Sequence, residues 1–146
     1  MKLKLIRDDT RGSTLVEFTL TVPIFLSLMF GLVQAGLLLW TQVGLQHGVE
    51  MAARCASVNY AANNAGLTTS CFSPTAPNAV TTSTVQSYAA KNSYGLNLPA
   101  SYFHATLNTT CSTGGNSGNV VTASYPFNLI HYIFSVTLNA RSCYPI

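Results

Sequence analysis

From Phe18 to Gln46 the chain carries no formally charged side chain, a run of 29 positions. Wound as a helix at about 1.5 Å per residue, it would extend roughly 43 Å, more than the ~30 Å of a bilayer's hydrocarbon. Past Val43 the pattern turns amphipathic. His47, Glu50 and Arg54 make a polar stripe, with Glu50 and Arg54 at i,i+4 in the favourable order, while Leu45, Val49, Ala52 and Ala53 face elsewhere. The pattern predicts one helix over 13–58 that leaves a membrane near Trp40, an interface residue, and then packs on a domain. Pro23 lies inside it and cannot donate a backbone hydrogen bond, so a kink or local loosening is expected there. Small residues recur at every fourth place: Ser27, Gly31, Ala35, and again Gly44, Gly48, Ala52, Ala56. That spacing keeps them on one face and lets another helix come close, which reads as packing between subunits.

Residues 59–78 are dense in Asn, Ser, Thr and Pro and read as loop. Over 80–94, Val80, Thr84, Val85, Tyr88 and Ala89 recur at helical spacing, and Gly95 offers a C-cap. Three strands are expected next. Residues 102–110 alternate Tyr102, His104, Thr106 and Asn108 against Phe103, Ala105 and Leu107; 119–127 and 132–140 are rich in β-branched and aromatic residues. A flexible turn over 112–118 joins the first two. The fold class is therefore α+β: a long N-terminal transmembrane helix, then a small antiparallel sheet with a helix packed on it. The aromatic residues of 88–144 are assigned to filling that core.

Charge is scarce and concentrated. Lys2, Lys4, Arg7, Asp8, Asp9 and Arg11 fall in the first twelve residues, so the net charge of +3 belongs mostly to them. From Ser13 onward Arg54, Lys91 and Arg141 oppose Glu17 and Glu50, a balance of +1. No basic patch remains for nucleic acid. The basic leader beside the span predicts a cytoplasmic N-terminus, with the rest across the membrane.

Cys55, Cys71, Cys111 and Cys143 all follow the apolar run, and an even number in a small exported domain suggests two disulfides with three possible pairings. If neighbouring strands pair, Cys111 and Cys143 leave the first and third strands at one end. That favours Cys111–Cys143 and leaves Cys55–Cys71 to tie the long helix to its loop. The ends must converge for this, because the outer strands lie ~9–10 Å apart across a middle one. The spacings contain no CxxC, and the glycine-rich 114–118 lacks the lysine of a phosphate loop. His47, His104 and His131 are scattered, and Glu50 is the last acid. No catalytic set, metal site or cofactor follows, and Asn108-Thr109-Thr110 matches a glycosylation sequon by chance.

The start of the helix is more specific. Gly12 followed by Ser13, with Glu17 five residues past the glycine, fits the prepilin pattern of a glycine cleavage site and a glutamate at the fifth mature position. Arg11-Gly12, Val16-Glu17-Phe18, the Pro23-Ile24-Phe25-Leu26 stretch and Met51-Ala52-Ala53-Arg54 resemble the TadE-like pilin family of tight-adherence (type IVc) pili. The resemblance is clear over 11–54 and weaker over 120–125 and 138–141. Phe18 stands where major pilins of these systems carry Tyr, and a domain of ~90 residues follows that small pilins lack. Both departures argue for a minor pilin, or pseudopilin.

The resemblance implies a leader 1–12 removed by prepilin peptidase, a helix 13–58 that anchors in the inner membrane, and an exported domain 59–146. It implies partners among other pilins and an inner-membrane assembly platform. Glu17 would then meet the new amine of Ser13, in its own chain or a neighbour's, and set register. A charge inside lipid costs about 2.5–3.5 kcal/mol at the bilayer centre, so such a carboxylate calls for a dedicated partner. Two other classes compete. One is an unprocessed, membrane-anchored binding or adhesion domain. The other is an ordinary secreted protein cut after Val33-Gln34-Ala35, before Gly36.

Overall fold

The computed structural model describes residues 11–67, 71–72, 80–111, 115–129 and 134–146. Leader residues 1–10, the loop residues 68–70 and 73–79, the turn residues 112–114, and His131 with Tyr132 lie outside the described residues. The chain divides into two units, Met1–Leu37 and Leu38–Ile146. Helix α1 (Arg11–Asn64) supplies residues to both. The other elements are helix α2 (Thr82–Lys91), a 3-10 turn (Ala100–Tyr102) and strands β1 (Phe103–Thr110), β2 (Ser117–Leu129) and β3 (Phe134–Pro145). The expected class, a long apolar helix followed by an antiparallel sheet with one helix, is what the chain adopts.

The second unit is built around the later half of α1. Leu45, Val49, Ala52, Ala53 and Ala56 fall at i, i+4, i+7, i+8 and i+11, so they share one face. All five are fully buried, against Val85 and Ala89 of α2 and Phe103, Val121, Ala123, Leu138 and Ala140 of the sheet. Four of these five helix residues are the ones the amphipathic pattern turned away from its polar stripe. The domain expected over 59–146 thus closes on helix residues that precede it.

Three ends differ from the sequence reading. Helix α1 runs to Asn64 rather than stopping at 58. Asn59 is fully buried, Ala62 nearly so, and alanine favours helix, so the polar-looking 59–64 belongs to α1. It stops in a Schellman motif. Gly66 takes φ +67°, Leu67 N–H donates to the Ala62 carbonyl at 2.8 Å, and Gly66 N–H to that of Asn63 at 3.2 Å. Helix α2 is shorter than 80–94. Thr81 caps its start in a reciprocal capping box with Thr84, and Asn92, not Gly95, caps its end. Strand β3 continues to Pro145, so Cys143 lies within it rather than after it.

The sheet order is β1-β2-β3, all antiparallel. The alternation expected for β1 is present: Phe103 is buried, Ala105 and Leu107 half-buried, and His104, Thr106 and Asn108 exposed. A bulge interrupts the β1–β2 register between Thr106 and Thr109, where Asn108 takes φ +52°, a conformation asparagine tolerates better than most residues. Buried Asn119 holds it, accepting from Asn108 N–H at 3.0 Å and donating to Ser57 Oγ at 3.2 Å. Strand β3 is an edge, and α1 covers it with side chains. Gln42 Nε2 donates to the Asn139 carbonyl at 3.0 Å, Gln46 Nε2 to that of Arg141 at 3.5 Å, and Ser57 Oγ to that of Tyr144 at 2.9 Å. Four helix residues advance about 6 Å and two strand residues about 6.7 Å, so an i,i+4 pair of glutamines matches alternate carbonyls of a parallel-running strand. Edge groups used this way are closed to pairing with other chains.

Two disulfides tie the unit: Cys55–Cys71, with Cα atoms 5.7 Å apart, and Cys111–Cys143, at 5.6 Å. This is the pairing the strand order favours. The outer strands reach one another because β2 carries no side chain where the second bridge passes. A Cβ built on buried Gly118 would lie 2.5 Å from Cys111 Sγ and 2.6 Å from the Tyr144 carbonyl oxygen. Gly118→Val should therefore cost about 1–3 kcal/mol by overpacking and jeopardise a bridge worth ~2–4 kcal/mol. Peptide mapping without reductant should find less Cys111–Cys143 in that variant, while Cys55–Cys71 persists. Unchanged bridging would mean that the crossing does not depend on a bare Cα.

Candidate functional site: an exposed apolar helix

The first unit offers apolar side chains without a core to bury them. Of the large aliphatic and aromatic residues between Leu15 and Leu39, all but Val22 and Leu38 are exposed. A helix that is apolar on every side needs an apolar surrounding. By length and composition α1 can cross a membrane, and none of its most apolar window is buried by the chain itself. Three hydroxyl side chains of this stretch turn inward to the helix backbone. Thr19 Oγ1 donates to the Leu15 carbonyl at 2.7 Å, Ser27 Oγ to that of Ile24 at 2.8 Å, and Thr21 Oγ1 to that of Glu17. Such back-bonding removes hydroxyl groups from competition with solvent and suits an apolar medium. Pro23 stays inside the helix, without ending it.

Gly12 and Ser13 lie in the first turn of α1, Glu17 and Phe18 one to two turns further on. Gly12 is exposed, with nothing within 4 Å of where its Cβ would be. Ser13 and Glu17 are four apart, hence on one helix face and about 6 Å apart along the axis. Both Glu17 and Phe18 are exposed. Glu17 is the one charged residue between Gly12 and Gln46.

The small-residue stripe splits into two parts with different neighbours. A Cβ on Gly31 would meet nothing within 4 Å, and Ser27 and Ala35 are exposed. Gly44, Gly48 and Ala52 are buried by the chain's own domain. A Cβ on Gly44 would lie 3.0 Å from the Tyr94 carbonyl oxygen, and one on Gly48 would lie 2.7 Å from that of Ala89. In this half the close approach is made within the molecule, by α2 at Gly48 and by the turn after α2 at Gly44. Spacing alone could not tell the two apart.

The polar stripe lies on the open side of the domain. Glu50 and Arg54 are exposed, and His47 packs edge-to-face on Tyr94 with ring centroids 4.5 Å apart. Among the described residues no three of His, Cys, Asp and Glu gather as a metal site would require. Sequence reading missed Gln42, Gln46, Ser57 and Asn119, the polar groups that lock helix to sheet. Two glutamines one turn apart at the end of an uncharged run were the available signal.

Residues 12–54, the segment that holds Gly12, Glu17, the apolar run and the helix face under the domain, match the family model for TadE-like protein. No curated protein and no solved structure matches the chain. The likeness to TadE-like proteins of Tad pili is thus carried by this N-terminal helix, and the sheet domain lies outside the matched segment.

Proposed function

We propose that this chain is a minor pilin, or pseudopilin, of a tight-adherence pilus, inserted in the inner membrane and taking part in assembly, priming or anchoring of the filament. The observation that carries the reading is the coincidence of the family match with an apolar helix whose first 27 described residues find no core in their own chain. In the precursor, lipid covers this surface. In a filament, the helices of other pilins do, with Ser27, Gly31 and Ala35 as the face where a neighbour comes closest. The basic leader stays cytoplasmic and the disulfide-tied domain lies on the far side, in an oxidising compartment. Prepilin peptidase cuts after Gly12, where the absent side chain admits the backbone to a catalytic site and the first helical turn opens at little cost. The inner-membrane assembly platform then receives a chain beginning at Ser13.

Intact mass and N-terminal sequencing of the native protein test this. The expected start is Ser13. A start at Met1 would favour an unprocessed, membrane-anchored binding domain, and a start at Gly36 a secreted one. Gly12→Leu should leave the full-length precursor in the membrane fraction. Wild-type processing of that variant would remove the proposed cut site.

A further inference from the structure

Within the domain, one end carries exposed aromatic residues that no core claims. Trp40 is 62% exposed and Tyr94 64% exposed, and with Val43 and Gly44 they line an apolar hollow of about 180 Å³. The turn after α2 brings them together. Gly95, at φ +70°, comes so close to Trp40 that a Cβ there would lie 2.9 Å from its Nε1, and the His47 ring braces Tyr94 from the other side. The directions of the elements agree. Helix α2 runs against α1, so Ala89 meets Gly48 while Tyr94 meets Gly44, and its last turn points toward the start of the domain. Strand β3 runs with α1, and exposed Val136 precedes the Asn139 contact to Gln42 at that same end.

We propose that this end of the domain is a lipid-facing foot: Trp40 and Tyr94 rest at the boundary between hydrocarbon and headgroups, and exposed Lys91 on the last turn of α2 meets lipid phosphate. The inference rests on the membrane-anchored reading and extends it from helix to domain. The length of the uncharged run fixes the occupant. The uncharged run of 29 residues, roughly 43 Å as a helix, matches the ~40–45 Å of a bilayer with its headgroups, not just the ~30 Å of hydrocarbon. Centred on the bilayer, that run puts Glu17 at one surface, Trp40 about 12 Å from the midplane at the edge of the hydrocarbon, and residues 42–46 in the headgroup layer of the other. Tryptophan and tyrosine, each with an apolar body and a polar tip, favour that layer, and a lysine there attracts anionic lipid.

Trp40 is the sole tryptophan, so its emission reports its depth without a label. The full chain is placed in phosphatidylcholine/phosphatidylglycerol vesicles whose acyl chains are brominated either close to the headgroup or near their ends. A second form, Trp40→Phe with Tyr94→Trp, moves the indole to the turn. Circular dichroism and non-reducing mass confirm that it folds with both bridges. In both forms the emission should fall more with the shallow bromines than with the deep ones, and iodide in the water should quench only weakly. If the indole at position 94 answers to iodide and ignores bromolipid, while that at 40 answers to bromolipid, the foot is wrong and the anchor stands. If Trp40 itself ignores bromolipid, the anchor fails and the foot with it. Protection at position 94 that disappears as protein is diluted in lipid would assign the surface to a second copy and overturn the proposal.

Discussion

Gly48→Val should unfold the domain at a temperature ~10 °C or more below that of the unaltered chain, the largest stability change expected of any single methyl-scale substitution on α1. The native backbones of α1 and α2 touch at this point: a Cβ would lie 2.7 Å from the Ala89 carbonyl oxygen, 3.3 Å from Ser93 Cβ and 3.4 Å from its Cα. Two of those three atoms are backbone, and a carbonyl inside a helix cannot rotate away. Replacing glycine in a helix has an opposite effect to weigh, since alanine gains about 0.8–1 kcal/mol in helix propensity. Overpacking costs about 1–3 kcal/mol for ordinary insertions, so even alanine should lose on balance. Valine surrenders most of the propensity gain and adds two methyl groups to the same gap. Gly31→Ala is the control. Its Cβ meets nothing within 4 Å, so the same kind of change there should leave the melting temperature of the isolated chain unmoved or slightly raised. Thermal circular dichroism of the full chain in detergent compares the three. Equal melting of the position-48 variant and the unaltered chain would contradict the close helix contact.

That pair of glycines marks the boundary of what the sequence makes legible. Positions 31 and 48 belong to two runs of the same four-residue spacing, and nothing local distinguishes them. The difference lies in α2, more than forty residues later, folding back on one and not the other. Local periodicity did carry the core face of α1, the alternation of β1 and the existence of α2, because burial on one side imposes its period directly. It failed at 59–64, where asparagines look like loop. Burial of Asn59, together with the Gly66 cap, continues the helix there. The cysteine pairing was readable from strand order only on condition that the outer strands converge. Gly118 meets that condition by leaving β2 bare beneath the bridge, which a count of strand spacings does not reveal. Gly12, Ser13 and Glu17 are read from offset along the chain alone, a reading that asks nothing of tertiary packing, and all three fall in the segment that matches the family model.

Glu17→Ala should leave processing intact and abolish filament formation. In the proposed mature chain the amine of Ser13 and the carboxylate of Glu17 lie one turn apart on the same face, with every residue from 18 to 46 uncharged. Two opposite charges at 4 Å attract by about 4 kcal/mol at an effective dielectric of 20, and at the 6 Å of one helical turn by roughly 3 kcal/mol. Removing the acid leaves the amine unpaired in an apolar bundle, which adds its own desolvation cost. A loss of about 3 kcal/mol per subunit corresponds to more than a hundredfold in an association constant, enough to empty the assembled state. Lipid insertion itself should improve slightly, since a charge has left the span. The expected phenotype is therefore specific: mature protein of unaltered start, retained in the membrane, with no pili by electron microscopy. Glu17→Gln separates charge from shape, keeping the side chain's size while losing its attraction, and should fail as alanine does. Normal piliation in either variant would show that subunits find their register without this pair.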